Sequence, residues 1–195
     1  MKKEISQTIE IPEGIEANLE GSTITIKGSE GENVRKFDDN KLIFEIKDKK
    51  ITIGNKNATK KEKKLINTFT AHIQNMIKGV QEKFEYKLKI CFSHFPITVK
   101  LEGNKATIKN FLGEKVDRSS KIIEGVDVKI EKDIITVNSV NKELAGQTAA
   151  NFEKATRIRN KDRRVFQDGI FITNKAGNEI WELNFYEGSG KNIQN

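Results

Sequence analysis

Residues 19–34 read LEGSTITIKGSEGENV, and residues 101–116 read LEGNKATIKNFLGEKV. At a constant offset of 82, Leu19-Glu20-Gly21 aligns with Leu101-Glu102-Gly103, and Thr25-Ile26-Lys27 with Thr107-Ile108-Lys109. Gly31-Glu32 and Val34 align with Gly113-Glu114 and Val116. An Xaa-Pro step precedes each copy, at Ile11-Pro12 and Phe95-Pro96, and Ile51-Thr52-Ile53 is answered by Ile135-Thr136-Val137. Self-similarity of this kind marks a module used more than once, here one of roughly 80 residues. The expected division is an N-terminal copy over residues 1–81, a C-terminal copy over 82–175 and a tail over 176–195.

Each copy reads as several short strands followed by one helix. In the first, Thr23–Lys27, Lys41–Ile46 and Ile51–Ile53 are rich in β-formers and are separated by turn signals at Asp38-Asp39-Asn40 and Asp48-Lys49. Thr59-Lys60-Lys61-Glu62 is a capping box, so a helix starts near Lys60. Leu65, Phe69, Ile73, Met76 and Val80 then form an apolar stripe at helical spacing, with Gly79 near the stop. The second copy opens on a strand in which Tyr86, Leu88, Ile90 and Phe92 alternate with Lys87, Lys89 and Cys91. Strands follow near Thr98–Leu101, Ala106–Lys109, Val126–Ile130 and Ile134–Val137, after which Asn141 caps a second helix. Its buried face is expected to carry Leu144, Thr148, Phe152 and Ala155, with Gln147, Asn151 and Lys154 along the border. Strands then a helix, twice over, predicts an α+β fold: two tandem modules, each with a small antiparallel or mixed sheet packed on one helix.

The second helix runs into a cluster of cations. Arg157, Arg159, Lys161, Arg163 and Arg164 fall within eight residues, opposed only by Asp162. A basic run on a surface is ordinarily just solvated. Here four of the five cations are arginine, although lysine predominates elsewhere. Guanidinium groups present planar paired donors suited to phosphate, whereas ammonium groups act as point charges. Neutral hydrogen-bonding side chains, Gln147, Asn151 and Asn160, stand beside them. The first copy carries its cations at the helix start instead, at Lys60, Lys61, Lys63 and Lys64. The second copy is therefore read as the main RNA-facing unit, with a weaker lysine contribution from the first.

Composition is consistent with that reading. The 195 residues are 35% hydrophobic and 32% charged, with a net charge of +7 that favours acidic partners. No run of eighteen apolar residues exists, so no membrane helix is expected. The N-terminus, MKKEISQTIEI, has no apolar signal core, and the single cysteine excludes an internal disulfide; both point to the cytoplasm. His72 lies within the first helix and reads as structural. Cys91-Phe92-Ser93-His94 offers half of a zinc site with no second pair. Phosphate-binding glycine loops are absent from the sequence, and Gly28-Ser29-Glu30-Gly31 carries acid that suits a hairpin turn. No enzyme, cofactor, metal or small-molecule substrate is expected. Aromatics interleaved with cations are scarce, so a folded RNA read by shape and phosphate fits better than a stacked single strand.

Asn141-Lys142-Glu143-Leu144-Ala145-Gly146-Gln147-Thr148-Ala149-Ala150 and Asp162-Arg163-Arg164-Val165-Phe166-Gln167-Asp168-Gly169-Ile170 resemble the family of the sixth protein of the large ribosomal subunit, in its archaeal and eukaryotic-cytosolic branch. Phe84-Glu85-Tyr86-Lys87-Leu88 and Ser93-His94-Phe95-Pro96 also resemble that branch, and the likeness covers about residues 8–175. The resemblance implies a two-domain ribosomal protein without catalytic activity. It implies binding to large-subunit ribosomal RNA, chiefly through the C-terminal domain, near the sarcin–ricin loop where translation factors dock, among neighbouring ribosomal proteins. The family's RNA-contacting pattern falls on Gln147, Asn151, Lys154, Arg157, Arg159, Arg163 and Arg164. Lys142, Lys161 and Lys175 complete the candidate set. The tail with Trp181, Phe185 and Tyr186 departs from the family pattern. The competing reading is a non-ribosomal interaction module that offers its sheet edges to a protein partner.

Overall fold

In the computed structural model the chain is described over residues 3–37, 42–47, 49–93, 95–162 and 164–180. The expected features at Asp38-Asp39-Asn40, Lys41, Asp48, His94, Arg163, Trp181, Phe185 and Tyr186 lie outside those residues.

The first copy is built from β1 (Lys3–Glu10), β2 (Glu16–Glu20), β3 (Thr23–Gly28), β4 (Gly31–Lys36), β5 (Ile43–Lys47), β6 (Lys50–Ala58) and α1 (Lys60–Gln81). The second has β7 (Phe84–Cys91), β8 (Thr98–Glu102), β9 (Lys105–Lys109), a 3₁₀ turn (Phe111–Gly113), β10 (Arg118–Lys121), β11 (Asp127–Glu131), β12 (Ile134–Ser139) and α2 (Lys142–Ala155). Two more strands follow, β13 (Gly169–Lys175) and β14 (Asn178–Glu179). The α+β class is as expected, and the strands of each copy divide between two sheets. The orders are β1-β6-β5 and β2-β3-β4 in the first copy, and β11-β12-β7-β13-β14 and β8-β9-β10 in the second. The duplication is thus visible in the strand order: β7, β12 and β11 repeat β1, β6 and β5, and β13 is added beside β7. By Cα proximity the described residues divide into two compact units, those up to 84 with 139–144, and those from 85 to 138 with 145–180.

The sequence offset holds only in part. β2 and β8 keep a spacing of 82, Glu16–Glu20 against Thr98–Glu102. After the following strand it slips. Ile26 pairs with Asn33 in the first copy, whereas Ile108 pairs with Arg118 in the second, so position 33 answers 118 rather than 115. The tight turn at Ser29-Glu30 is replaced by a longer connection containing the 3₁₀ turn, with Leu112 at φ 51° and Gly113 at φ 73°. The sequence match of Gly31-Glu32 and Val34 to Gly113-Glu114 and Val116 is therefore not a structural equivalence; Val116 lies in that connection, 80% exposed.

In the first unit, α1 begins at the expected capping box, with the Thr59 side chain accepting from Lys61 N–H and Glu62 accepting from Thr59 N–H at 2.9 Å. Its apolar stripe sits slightly differently from the expected one. Ile66, Ile73, Met76, Ile77 and Val80 are buried, but Leu65 is exposed. At about 100° per residue Leu65 lies a quarter turn from Ile66, off the face that meets the sheets. These residues pack with Ile24, Ile26, Ile51 and Ile53, each fully buried. The β3–β4 hairpin closes on the end of α1, where Val80 C=O accepts from Glu30 N–H at 3.0 Å and Ser29 Oγ–H at 3.4 Å.

Gly79 is needed for approach rather than as a helix stop. A Cβ there would lie 2.0 Å from the Val140 carbonyl oxygen and 2.9 Å from the Phe84 ring. On an exposed helix, Gly→Ala gains up to about 1 kcal/mol from propensity. The clash should reverse that sign. Gly79→Ala is expected to lower stability by about 1–3 kcal/mol, read from the urea midpoint; a rise would mean that no backbone lies against α1 at this point.

In the second unit, β7 alternates as expected, with Tyr86, Leu88 and Ile90 buried. At the entry of α2, within residues 139–144 that group with the first unit, Asn141 Oδ1 accepts from Glu143 N–H at 2.9 Å. The fully buried face of α2 carries Ala145, Thr148, Ala149 and Phe152, while Leu144 and Ala155 are half-buried. Gly146 brings α2 close to β7, its Cβ position being 3.2 Å from Tyr86 Oη. Three strands that sequence reading passed over also shape this unit. β10 is Arg-Ser-Ser-Lys, without an apolar residue, and β13 and β14 follow the cationic segment.

Candidate nucleic-acid interface

Gln147, Asn151 and Lys154 recur at intervals of four and three, which sets them within about 60° of one another on α2. The opposite face is held by Phe152 and the alanines, so this face is directed outward. Gln147 and Lys154 are exposed and Asn151 is half-buried. Gln147 Nε2 donates to Asn151 Oδ1 at 3.0 Å, and Asn151 Nδ2 donates to Lys121 C=O at 3.0 Å. Asn151 therefore ties α2 to β10 as well as lining the surface. Between these two elements runs an open groove bordered by Arg118, Lys121, Asn151, Lys154, Arg157 and Arg159. Five of those six carry positive charge, in an arrangement suited to an elongated anion.

The segment from Arg157 to Asp168 is secured at both ends. Thr156 Oγ1 accepts from Ile170 N–H at 2.9 Å and donates to Phe152 C=O at 3.3 Å. Asp168 is 4% exposed, and its Oδ1 accepts from Ser93 N–H at 3.0 Å and Ser93 Oγ–H at 2.9 Å. Between these anchors, Val165 and Phe166 N–H both donate to Asp162 C=O, closing a turn. Lys161 Nζ stands 4.4 Å from the Phe166 ring centroid. Arg164 donates to Asp162 through Nε and Nη2, the latter at 2.9 Å, and its side chain is 90% exposed. The Arg164 guanidinium holds the Asp162 carboxyl below its ordinary range. Water screens a pair so exposed, leaving Arg164 able to exchange its carboxylate for a phosphate.

The structure brings Asn151, Lys154, Arg157 and Arg159 to one groove, holds Gln147 beside it through Asn151, and sets Lys161 and Arg164 on the turn that follows. Arg163 lies outside the described residues. Lys142 and Lys175 are elsewhere. Lys142 is in the first turn of α2, its Nζ 5.6 Å from the Phe84 ring. Lys175 pairs with Tyr86 at the opposite end of β13 from Gly169, which pairs with Cys91. Arg118 and Lys121 were not singled out from sequence. Their strand is wholly polar, and the three-residue slip conceals that Lys121 is the counterpart of Lys36.

The other chemically suggestive residues have structural settings. His72 Nδ1 is 3.1 Å from Glu143 Oε1, which also pairs with Arg35 Nη1 at 2.6 Å. Burial, and then Arg35, lower the His72 pKa. Burial pushes the Cys91 thiol up, away from the thiolate that nucleophilic chemistry needs.

A family model described as ribosomal protein L6 matches the chain twice in succession, over residues 11–83 and 95–169. A large ribosomal subunit protein uL6 from Methanosarcina mazei is 43% identical over 176 residues, spanning 90% of this chain and 100% of that protein. A protein of the same name from Methanococcus vannielii is 42% identical over 173 residues, spanning 89% of this chain and 95% of its own length. These relatives are ribosomal proteins, not enzymes.

Proposed function

This chain belongs to the ribosomal protein L6 family, and from that premise we propose that it is a structural, non-catalytic component of the large ribosomal subunit that holds folded ribosomal RNA. The observation that carries the reading is the groove between β10 and α2. Lys121, Lys154, Arg157 and Arg159 border it, with Gln147 and Asn151 beside them. Clustered cations displace condensed counterions from a phosphate chain, and neutral amides add contacts to 2′-hydroxyls and base edges. Lys161 and Arg164 extend the contact along the turn, with Arg163 between them in sequence, and Lys142 and Lys175, which lie away from the groove, are candidates for separate contacts. The exposed Lys60, Lys61, Lys63 and Lys64 at the start of α1 make a second, weaker contribution.

The finer placement follows from the resemblance. The RNA is the large-subunit RNA near the sarcin–ricin loop, in the cytoplasm, with neighbouring ribosomal proteins and docking translation factors close by. The test is sedimentation of the native protein in a cell extract before and after a high-salt wash. Migration with large subunits, released as salt rises, is the expected result. A free small species at low salt overturns the assignment. A partner retained after nuclease treatment would favour the sheet-edge alternative.

A further inference from the structure

Arg118 stands at the edge of the groove, yet its guanidinium is turned to the protein. Nε donates to Glu114 Oε2 at 2.7 Å and Nη2 to Glu114 Oε1 at 2.6 Å. Nη1 donates to Ala155 C=O at 3.0 Å and to Arg157 C=O at 3.2 Å. Its cationic carbon lies 4.3 Å from the Phe111 ring centroid. A guanidinium has five N–H donors, and four of them are engaged here. The side chain is 26% exposed, against 90% for Arg164.

The carbonyls it reaches are significant. Ala155 is the last residue of α2, so its C=O is among those with no partner further along the helix, at the negative end of the dipole. The Arg157 carbonyl lies just past that end and fixes the peptide that leads toward Arg159. Glu114 occupies the fourth direction, and its negative charge at 2.6 Å would repel a phosphate oxygen approaching the same guanidinium. The carboxylate and the ring come from the connection that distinguishes the second copy from the first, and Arg118 opens the strand after it. Phe111 opens the 3₁₀ turn and Glu114 follows it, and the structural counterpart of Arg118 in the first copy is the buried Asn33.

We infer that Arg118 is a positioning residue: clasped by Glu114 and stacked on Phe111, it holds the backbone at Ala155 and Arg157 so that the Arg157 and Arg159 side chains face the groove, and it binds no RNA itself. This rests on the proposed RNA-binding role of the groove. It separates two kinds of arginine in one basic surface, those that meet the ligand and one that aims them.

The test is a double-mutant cycle on the full chain, with a large-subunit ribosomal RNA fragment as probe. Arg118→Gln alone should weaken binding roughly tenfold, by analogy with the low end of the loss when a group that orients a metal ligand is removed. Placed on an Arg157→Ala, Arg159→Ala background, it should cause no further loss, because its effect passes through those two residues. An equal loss on both backgrounds would identify Arg118 as an independent ligand and overturn the inference. So would unchanged affinity in the single variant. Should Arg118→Gln fail to fold, Glu114→Gln, which loosens one side of the clasp, goes through the same cycle with the same expectations. A second arm needs no RNA: amide exchange at Arg157, Ile158 and Arg159 in the free protein should quicken in the variant. If the parent chain binds no RNA, the proposed function fails while this arm still decides the role of Arg118, and unchanged exchange there overturns it.

Discussion

Replacing both Arg157 and Arg159 with Ala is expected to weaken binding to large-subunit ribosomal RNA roughly a hundredfold at moderate salt, taking each charge-assisted contact at about 1.5 kcal/mol. The same change should flatten the dependence of log affinity on log salt by up to about two units, one for each phosphate no longer neutralised. Both side chains are exposed beside the groove, so removing them opens no cavity and the fold should be retained. The two readouts have to move together. A loss of affinity at constant slope would place these arginines away from the phosphates, and unchanged affinity would remove the groove from the interface. Lys175→Ala, at a candidate contact away from the groove at the far end of β13, should cost several-fold less affinity.

Phe152→Ala is expected to have the largest effect on stability, about 3–5 kcal/mol. The ring is fully buried on the face of α2 opposite Gln147, Asn151 and Lys154. Deleting it leaves an apolar void beneath the surface that carries the candidate contacts. Its backbone carbonyl also accepts from Thr156 Oγ–H at 3.3 Å, one residue before the cationic segment. Denaturation in urea followed by circular dichroism gives the measurement. The exposed Val165, replaced by Ala, should change stability by no more than about 0.5 kcal/mol. A comparably small effect at Phe152 would contradict the packing of α2 described above.

Much of this architecture was legible where one residue type has one physical use. Thr59 and Glu62 form a capping box because only that spacing satisfies two orphan donors at once, and α1 starts where they place it. The alternation from Tyr86 to Ile90 gives β7 because period-two burial has no helical equivalent. Other features could not be read in the same way. Arg-Ser-Ser-Lys becomes β10 through pairing with β9 rather than through its own apolar content. Leu65 and Ile66 are equally apolar neighbours, and only the rotation of α1 against its sheets chooses between them. The cation cluster was plain in the sequence, but the partner of each cation was not. Lys161 rests over Phe166, Arg164 grips Asp162, and Arg118, outside the cluster, holds the backbone from which it springs.

β13 has one more consequence. By pairing with β7, it turns the stretch from Arg157 to Asp168 from a dangling extension into a closed bow, with Thr156 and Ile170 bonded across its base. A free segment surrenders about 1–2 kcal/mol of backbone entropy for each residue that becomes fixed. Here much of that surrender accompanies folding of the protein, before any ligand arrives. In the proposed role the cations on the bow would meet their target already restrained, leaving more of each contact to appear as affinity.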